Sequence, residues 1–211
     1  MTTAIIGTGG IGSAIARQLA SGGEALQLSS ADKESARNLA ASIGGNAVVA
    51  VDNRSALLGA DAVVLALRFS VLKEVVDELG DALSETFLVV PSNPVSLDAG
   101  GKVVRLLREG QSSGEIVAGR LPAGTRFAIA FGTMSADLFE SSSHRSPELA
   151  VLFYVSGDEH GSDEVERLIR TAGFEPMRIG GIEQSSRLEV GGDLHDLVVG
   201  STEAHSLIDV A

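Results

Sequence analysis

The sequence lacks cysteine and tryptophan altogether, and only 4% of its 211 residues are aromatic. The absence of cysteine excludes disulfides, thiolate catalysis and cysteine-ligated zinc or iron–sulfur sites. No apolar run approaches the ~20 residues that a membrane span needs. The first predicted strand begins within three residues of Met1, which leaves no room for a signal peptide. We therefore expect a cytoplasmic protein that does not enter a membrane.

Basic side chains are also scarce, since 16 Lys and Arg stand against 28 Asp and Glu and give a net charge of −12. A surface this acidic disfavours nucleic acid and anionic membranes as partners. The histidines are scattered rather than spaced as metal ligands, and they are His144, His160, His195 and His205. No G-x-S-x-G elbow is present. We predict neither a metal centre nor a nucleophilic triad.

Glycine, by contrast, is abundant, and three glycines near the N-terminus follow the pattern G-x-G-x-x-G. The apolar residues 4–6 predict a buried strand before them, and residues 11–20 predict a helix after them. Gly7 is suited to the tight turn, Gly9 to close approach of a pyrophosphate, and Gly12 to helix–strand packing. The helix N-terminus favours phosphate. This stretch predicts dinucleotide binding; the alternative is a glycine-rich turn without a ligand.

The rest of the chain alternates predicted strands and helices, which favours a parallel sheet with right-handed crossovers. Further strands are predicted at residues 25–28, 47–51, 62–67, 87–90, 126–131, 150–156 and 175–179. Further helices are predicted at residues 33–43, 53–58, 71–83, 101–108, 163–172, 182–188 and 194–210, and a flexible loop at 141–147. A short helix that carries Leu138 and Phe139 is predicted after the turn at residues 132–135. We predict an α/β, doubly wound, Rossmann-type and mainly parallel sheet. Residues 1–131 would form the nucleotide-binding domain, and residues 132–211 a smaller lobe that completes a cleft.

The end of the second predicted strand bears on the choice between NAD and NADP. NAD-binding domains usually place an acidic residue there for the ribose 2′-hydroxyl, but this chain has Ser29 and Ser30. Lys33 and Arg37, one helical turn apart, offer positive charge to a 2′-phosphate. The carboxylate of Asp32 would repel a 2′-phosphate unless it caps the helix that begins at Lys33. We favour NADP, and the alternative is that these residues are ordinary loop serines and solvated cations.

With these features the chain resembles the NADPH-dependent reductases of the deazaflavin coenzyme F420, the coenzyme F420:NADP oxidoreductases. The family pattern G-T-G-N-[LI]-G is similar to G-T-G-G-I-G here, V-[LV]-[AT]-[VI]-P-W to V-L-A-L-R-F, and T/S-N-P to S-N-P. Similar segments recur in order along the chain, at residues 130–136, 155–158, 172–176 and 186–189.

The resemblance implies hydride transfer between the nicotinamide of NADP(H) and coenzyme F420. It places Thr8, Gly9, Gly10 and Ile11 at the pyrophosphate and Ser30 at the 2′-phosphate. It places Leu67, Arg68, Phe69, Asn93 and Pro94 beside the ribose and nicotinamide. Three departures stand out, because Ala31 replaces the arginine that grips the 2′-phosphate, Gly10 replaces an asparagine, and L-R-F replaces V-P-W.

Alternatives to this function come from the same residues. Arg68 beside the nicotinamide pocket also suits a reductase of another flavin or of a small carbonyl or imine. A regulatory protein that binds NADP without turnover is a third interpretation. His195 is a weak candidate proton donor, although a helix cap or surface position is commoner, and Asp193 is a predicted N-cap beside it. The family and the apolar residues 197–210 favour a homodimer.

Overall fold

A single eight-stranded sheet organises the protein. The computed structural model describes residues 1–157 and 159–208. The strands of the sheet are β1 (Thr2–Ile6), β2 (Ala25–Ser29), β3 (Ala47–Val49), β4 (Ala62–Leu65), β5 (Phe87–Val90), β8 (Phe127–Ile129), β9 (Val151–Ser156) and β10 (Glu175–Arg178). Their order is β10-β9-β8-β5-β4-β1-β2-β3, and β6 (Val95–Leu97) with β7 (Val103–Arg105) forms a separate hairpin.

Helices cover the sheet on both faces. They are α1 (Gly10–Ser21), α2 (Lys33–Ile43), α3 (Asn53–Ala56), α4 (Phe69–Leu79), α5 (Ser113–Ala118), α6 (Ala136–Ser142), α7 (Glu159–Thr171) and α8 (Ser201–Ile208), with 3-10 helices at Gly80–Glu85 and Ile182–Leu188. The side chains of β4 show the layering, because Ala62 and Val64 belong to one apolar cluster while Val63 and Leu65 belong to the other. A strand buried on both faces needs this continuous apolar run.

Strand direction divides the sheet. Strands β1 to β5 and β8 run parallel to one another, whereas β9 pairs with β8 in the antiparallel sense and β10 is parallel to β9. The predicted doubly wound, mainly parallel fold is therefore confirmed. Strands β9 and β10 extend this same sheet, and the proposed division into residues 1–131 and 132–211 stays a prediction.

Three predictions of local structure were wrong. Residues 101–108 hold no helix but contain strand β7, because the carboxylate of Asp98 accepts hydrogen bonds from the N–H groups of Gly100 and Lys102 and so builds a hairpin turn. Residues 194–196 form a turn, residues 197–200 have no regular structure, and helix α8 begins only at Ser201. Helix α6 occupies the start of the predicted loop 141–147. Asp158, Val210 and the side chain of His160 lie outside the described residues.

Helix boundaries elsewhere follow local chemistry. Asp32 begins α2 by accepting hydrogen bonds from the N–H groups of Glu34 and Ser35, so the predicted N-cap is confirmed. Gly44, with φ of 86°, ends the same helix. Within the described ranges, none of the helices has the length and apolar character required to cross a membrane.

Candidate functional site

An open groove runs along the edge of the sheet where the parallel strands β1, β4, β5 and β8 end. Its cavity volume of about 340 Å³ lies within the usual range of ligand sites. The groove is lined by Gly9, Gly10, Ile11, Ala66, Leu67, Arg68, Phe69, Pro91, Ser92, Asn93, Val95, Gly132, Met134, Ser135 and Ala136. Seven residues predicted to bind the coenzyme meet in this lining: Gly9, Gly10, Ile11, Leu67, Arg68, Phe69 and Asn93.

The glycine-rich turn has the geometry that its spacing predicts. Gly7 has φ of 102°, and a Cβ there would lie 2.2 Å from the carbonyl oxygen of Ala66. A Cβ on Gly12 would lie 2.0 Å from the carbonyl oxygen of Gly7, so both glycines allow close backbone packing. Gly9 differs, because a Cβ there would meet nothing within 4 Å. Its bare backbone faces the open groove, where a ligand can approach it.

Three helices begin at the groove, and two of them have no side-chain cap. Within the described part of the chain, no side chain caps α1, which begins after Gly9, or α4, which begins after Arg68. In contrast, Ser135 caps α6 and Asp32 caps α2. The first N–H groups of a helix lack intrahelical partners and carry the positive end of its dipole. The exposed side chain of Arg68 adds a formal charge. This edge of the groove therefore suits an anion.

The region after β2 is where a 2′-phosphate would be distinguished from a hydroxyl. The hydroxyl of Ser29 is 1% exposed and donates to Oδ1 of Asn53 at 2.8 Å. Nζ of Lys33 donates to the carbonyl oxygen of Val51 at 2.9 Å. Because Asp32 is engaged with its own helix, its carboxylate is not directed to a ribose hydroxyl. Contacts of Ser29, Ser30 and Lys33 with a coenzyme stay predictions.

Thr8 and Pro94 lie outside the lining of the groove. The hydroxyl of Thr8 is 2.8 Å from that of Ser35 on α2, and its residue is 5% exposed. The carbonyl oxygen of Pro94 accepts a hydrogen bond from the N–H of Leu106 at the base of the hairpin. Both residues fix the shape of the backbone near the groove, and their contact with a coenzyme stays a prediction.

The end of the groove at Asn93 and Gly132, here called the inner end, is held together by side-chain hydrogen bonds. Nδ2 of Asn93 donates to the carbonyl oxygen of Gly132 at 2.7 Å, and its Oδ1 accepts from the N–H of Val190 at 2.8 Å. Asn93 thus joins the ends of β5 and β8 to the C-terminal segment. Phe131, which is buried, has φ of 67°, a rare conformation for a bulky residue and one that concentrates at functional sites.

His195 is close to this end but does not line the groove. Its Nδ1 lies 3.1 Å from the carbonyl oxygen of Leu188, and its Nε2 lies 3.5 Å from Oδ2 of Asp196. The predicted N-cap at Asp193 is wrong, because its carboxylate pairs with Arg187 at 2.7 Å. Hydrogen bonds from Arg187 lower the pKa of Asp193 below its ordinary value. A role for His195 stays a prediction.

Two further observations limit the chemistry of the described residues. Within them, no group of three or more His, Asp or Glu side chains is placed to hold a metal ion. Tyr154 is buried and donates to Oε1 of Glu166 at 2.7 Å, and burial together with this bond raises its pKa. A tyrosine that is harder to ionise and packed in the core is a structural residue, as its strand position predicts.

Sequence reasoning assigned no role to four residues near the inner end. Arg105 of β7 forms an ion pair with the buried Glu189 at 2.6 Å, and the N–H of Ser113 donates to the same carboxylate at 2.5 Å. Thr133 follows Gly132 in the loop after β8. Thr133 and Glu189 lie in segments similar to the F420 reductases, which was the one available signal. Arg105 and Ser113 gave none.

Known structures share this fold. A hypothetical protein from Sinorhizobium meliloti is 25% identical, with a TM-score of 0.81 and 95% of this chain and 96% of that chain aligned. A provisionally assigned F420-dependent NADP reductase from Arthrobacter sp. FB24 is 19% identical, with a TM-score of 0.78. The alignment covers 95% of this chain and 99% of that chain. A reductive aminase from Aspergillus terreus, in complex with NADPH and ethyl levulinate, is 14% identical, with a TM-score of 0.62. The alignment covers 90% of this chain and 58% of that chain. The last two show likeness of fold alone.

The sequence comparison is more specific than the fold. No curated protein matches this chain. Residues 2–94 match the family described as NADP oxidoreductase, coenzyme F420-dependent, and this range runs from β1 through the glycine-rich turn to the loop after β5. The match contains Gly7, Gly9 and Gly12, Arg68 and Asn93. The resemblance predicted from the sequence is thus confirmed for residues 2–94, which are similar to the NADP oxidoreductase, coenzyme F420-dependent family.

Proposed function

We propose that this protein binds NADP(H) in the groove and exchanges a hydride with the deazaflavin coenzyme F420. The observation that carries the proposal is the turn from Gly7 to Gly12, where bare backbone at Gly9 and the uncapped start of α1 meet in the open groove. Such a turn suits a pyrophosphate. The family of residues 2–94 supports both NADP(H) and coenzyme F420.

Each region of the groove receives one part of the coenzyme in this proposal. The N–H groups of Gly10 and Ile11 bind the pyrophosphate, and Ser30 with Lys33 binds the 2′-phosphate. Leu67, Phe69 and Asn93 border the nicotinamide. The coenzyme supplies the hydride, and the protein contributes alignment of the two reacting carbons at about 3–3.5 Å. Hydride transfer by alignment alone needs no catalytic triad and no metal.

A second candidate is an NAD(P)H-dependent reductase of another flavin or of a small carbonyl or imine. The exposed cation of Arg68 at the start of α4 favours it, because a cation beside the nicotinamide suits an anionic acceptor. The shared fold of the reductive aminase supports the same candidate. A regulatory protein that binds NADP without turnover is the third possibility and would need the same groove.

Turnover with a panel of acceptors separates the three candidates. Purified protein is mixed with NADPH and, in separate reactions, coenzyme F420, FMN, a small ketone or a cyclic imine, and the near-ultraviolet absorbance of NADPH is followed. We expect consumption of NADPH with coenzyme F420 and none with the others. Turnover only with another acceptor would support the second candidate, and tight binding of NADPH without any turnover would support the third.

The assembly and location belong to the same proposal. We infer a homodimer in the cytoplasm from the resemblance to the F420 reductases alone, because the described apolar residues of the C-terminal segment pack into or against the core of this chain. The molar mass in solution, measured by light scattering during gel filtration, tests the dimer. A mass near 21.7 kDa at micromolar concentration would contradict it.

A further inference from the structure

A second cavity lies beside the groove, between helix α4 and the segment that runs from α5 to Arg120. We call it the α4–α5 cavity, and its cavity volume is about 230 Å³. Phe69 lines this cavity as well as the groove, so the two spaces adjoin at one aromatic side chain. An apolar cavity of about 150 Å³ is enough to hold benzene. The α4–α5 cavity therefore has room for one ring or a short aliphatic chain.

The walls of the α4–α5 cavity are largely apolar. Leu72, Val76 and Val117 line it and are buried in one apolar cluster. Phe69 and Ile116 line it as well but are only partly buried, so they keep apolar surface in contact with water. Ligand sites in proteins combine such walls with a small number of polar groups. The apolar part of a bound molecule would be stabilised here because it leaves water.

The polar side chains of the lining are those of Ser70, Lys73 and Arg120, and none of the described lining residues is acidic. Arg120 is exposed, and its guanidinium makes no hydrogen bond or ion pair with the described part of the chain. Lys73 pairs with Asp77 on the same helix, and both side chains are more than half exposed. An exposed pair of this kind contributes at most about 1 kcal/mol. Lys73 can therefore exchange Asp77 for another anion.

The charge of this lining contrasts with that of the whole chain, which is −12. A protein with this net charge repels anions from most of its surface. An anion is favoured only where cations outnumber carboxylates, as Lys73 and Arg120 outnumber Asp77 at this cavity. The planar guanidinium of an arginine can also bind a carboxylate through two parallel hydrogen bonds, which gives geometric specificity as well as attraction.

We propose that the α4–α5 cavity binds a small organic carboxylate, with a ring or short aliphatic chain against the apolar walls and the carboxylate at Arg120 and Lys73. This site goes beyond the proposed function, because it uses neither the phosphate end nor the inner end of the groove. Two sources carry the same chemistry. One is a separate small molecule, and the other is an acidic side chain of the hydride acceptor that extends past Phe69 from the groove.

Titration calorimetry with three probes tests the site in the full chain. Phenylacetate has both the ring and the carboxylate, 2-phenylethanol has the ring without the charge, and acetate has the charge without the ring. We expect phenylacetate to bind at millimolar concentration or below, and each of the other two probes to bind at least about tenfold more weakly. This order follows because only phenylacetate uses the apolar walls and the cations together.

Removal of the guanidinium locates the carboxylate. Arg120→Gln should weaken phenylacetate about tenfold, because a charge-assisted hydrogen-bonded pair is lost, and should leave 2-phenylethanol unchanged. Arg126→Gln is the matched control, since Arg126 is another exposed arginine and lies outside the lining of the cavity. Both side chains are exposed, so we expect the melting temperature of each variant to equal that of the wild type.

Steady-state kinetics then identify the source of the carboxylate. If the acceptor supplies it, Arg120→Gln raises KM for coenzyme F420 with KM for NADPH unchanged, and phenylacetate competes with coenzyme F420. If it belongs to a separate molecule, KM for coenzyme F420 is unchanged in Arg120→Gln and phenylacetate does not compete. Wild-type protein without turnover of NADPH and coenzyme F420 refutes the proposed function, whereas calorimetry tests the cavity independently of turnover.

Other outcomes overturn the carboxylate site. Equal affinities for phenylacetate and 2-phenylethanol would show that the cavity does not recognise charge. Equal losses of phenylacetate binding in Arg120→Gln and Arg126→Gln would assign the effect to the net charge of the protein. A second copy of this chain seated over the cavity would prevent phenylacetate binding to the wild type, and Ile116→Glu would then lower the molar mass measured by light scattering. Absence of phenylacetate binding at millimolar concentration refutes the site in every case.

Discussion

The two ends of the groove differ in the groups that shape them, which are backbone groups at one end and side chains at the other. At the phosphate end, the turn around Gly9 presents backbone, and the start of α1 has no side-chain cap. At the inner end, side chains hold distant segments together, as Asn93 does between Gly132 and Val190. Backbone groups suit a phosphate, which is the same in every dinucleotide, whereas side chains can distinguish one acceptor from another. The inner end is therefore where we expect specificity to lie.

Substitution at Gly7 has the largest expected effect, because it removes the phosphate end altogether. In Gly7→Ala, the new Cβ would lie 2.2 Å from the carbonyl oxygen of Ala66, at a residue with φ of 102°. We expect a loss of about 3 kcal/mol in the free energy of unfolding, measured by urea denaturation. Gly45→Ala is the control, since a Cβ there meets nothing within 4 Å. A Gly7→Ala protein as stable as wild type would refute the tight turn.

Gly9 provides the sharper test of the phosphate end. In Gly9→Ala, the new methyl group meets nothing in the protein within 4 Å, so we expect an unchanged melting temperature. The methyl would occupy space that a bound pyrophosphate needs, and NADPH should bind about tenfold to hundredfold more weakly. Titration calorimetry measures the affinity, again with Gly45→Ala as control. Undiminished NADPH binding would mean that the pyrophosphate does not contact this turn.

A substitution at the inner end should lower both the free energy of unfolding and the affinity for NADPH. Asn93→Ala leaves the carbonyl of Gly132 and the N–H of Val190 without their partner, and at about 1 kcal/mol for each bond we expect a loss of about 2 kcal/mol. Urea denaturation gives the stability, and the dissociation constant of NADPH gives the accompanying loss of affinity. Asn46→Ala is the control, because its single 3.3 Å bond to the carbonyl of Ala20 is exposed. Equal effects of the two substitutions would contradict the role of Asn93 as a bridge between Gly132 and Val190.

The smallest expected effect concerns the choice of coenzyme. Lys33→Ala removes a cation near the end of β2, and we expect about fivefold weaker NADPH binding with NADH binding unchanged, since an exposed charge contributes at most about 1 kcal/mol. Competition titrations with both coenzymes measure the difference. Lys102→Ala, in the hairpin turn, is the control for the loss of one positive charge. If both coenzymes weaken equally, or neither does, Lys33 does not contact the 2′-phosphate.

Prediction from sequence was most accurate where partners are close along the chain. The strand, turn and helix from Thr2 to Ser21, and the cap at Asp32, depend on residues a few positions apart. The hairpin was missed because Val103 and Val104 follow two glycines and fit an apolar helical period equally well, while the turn depends on the carboxylate of Asp98. The C-terminal helix was predicted too long because residues 194–200 are apolar for a tertiary reason: Leu194 and Val199 pack into the core.

The sequence by itself determined the parallel part of the sheet and the phosphate end of the groove, because glycine spacing and apolar periodicity act locally. Only the tertiary structure decided the inner end. Asn93, Ser113, Thr133 and Glu189 come from separate segments of the chain, and they line one cavity because the ends of β5 and β8, the start of α5 and the end of the second 3-10 helix meet there. No local pattern encodes that meeting, since burial is a property of the assembled fold.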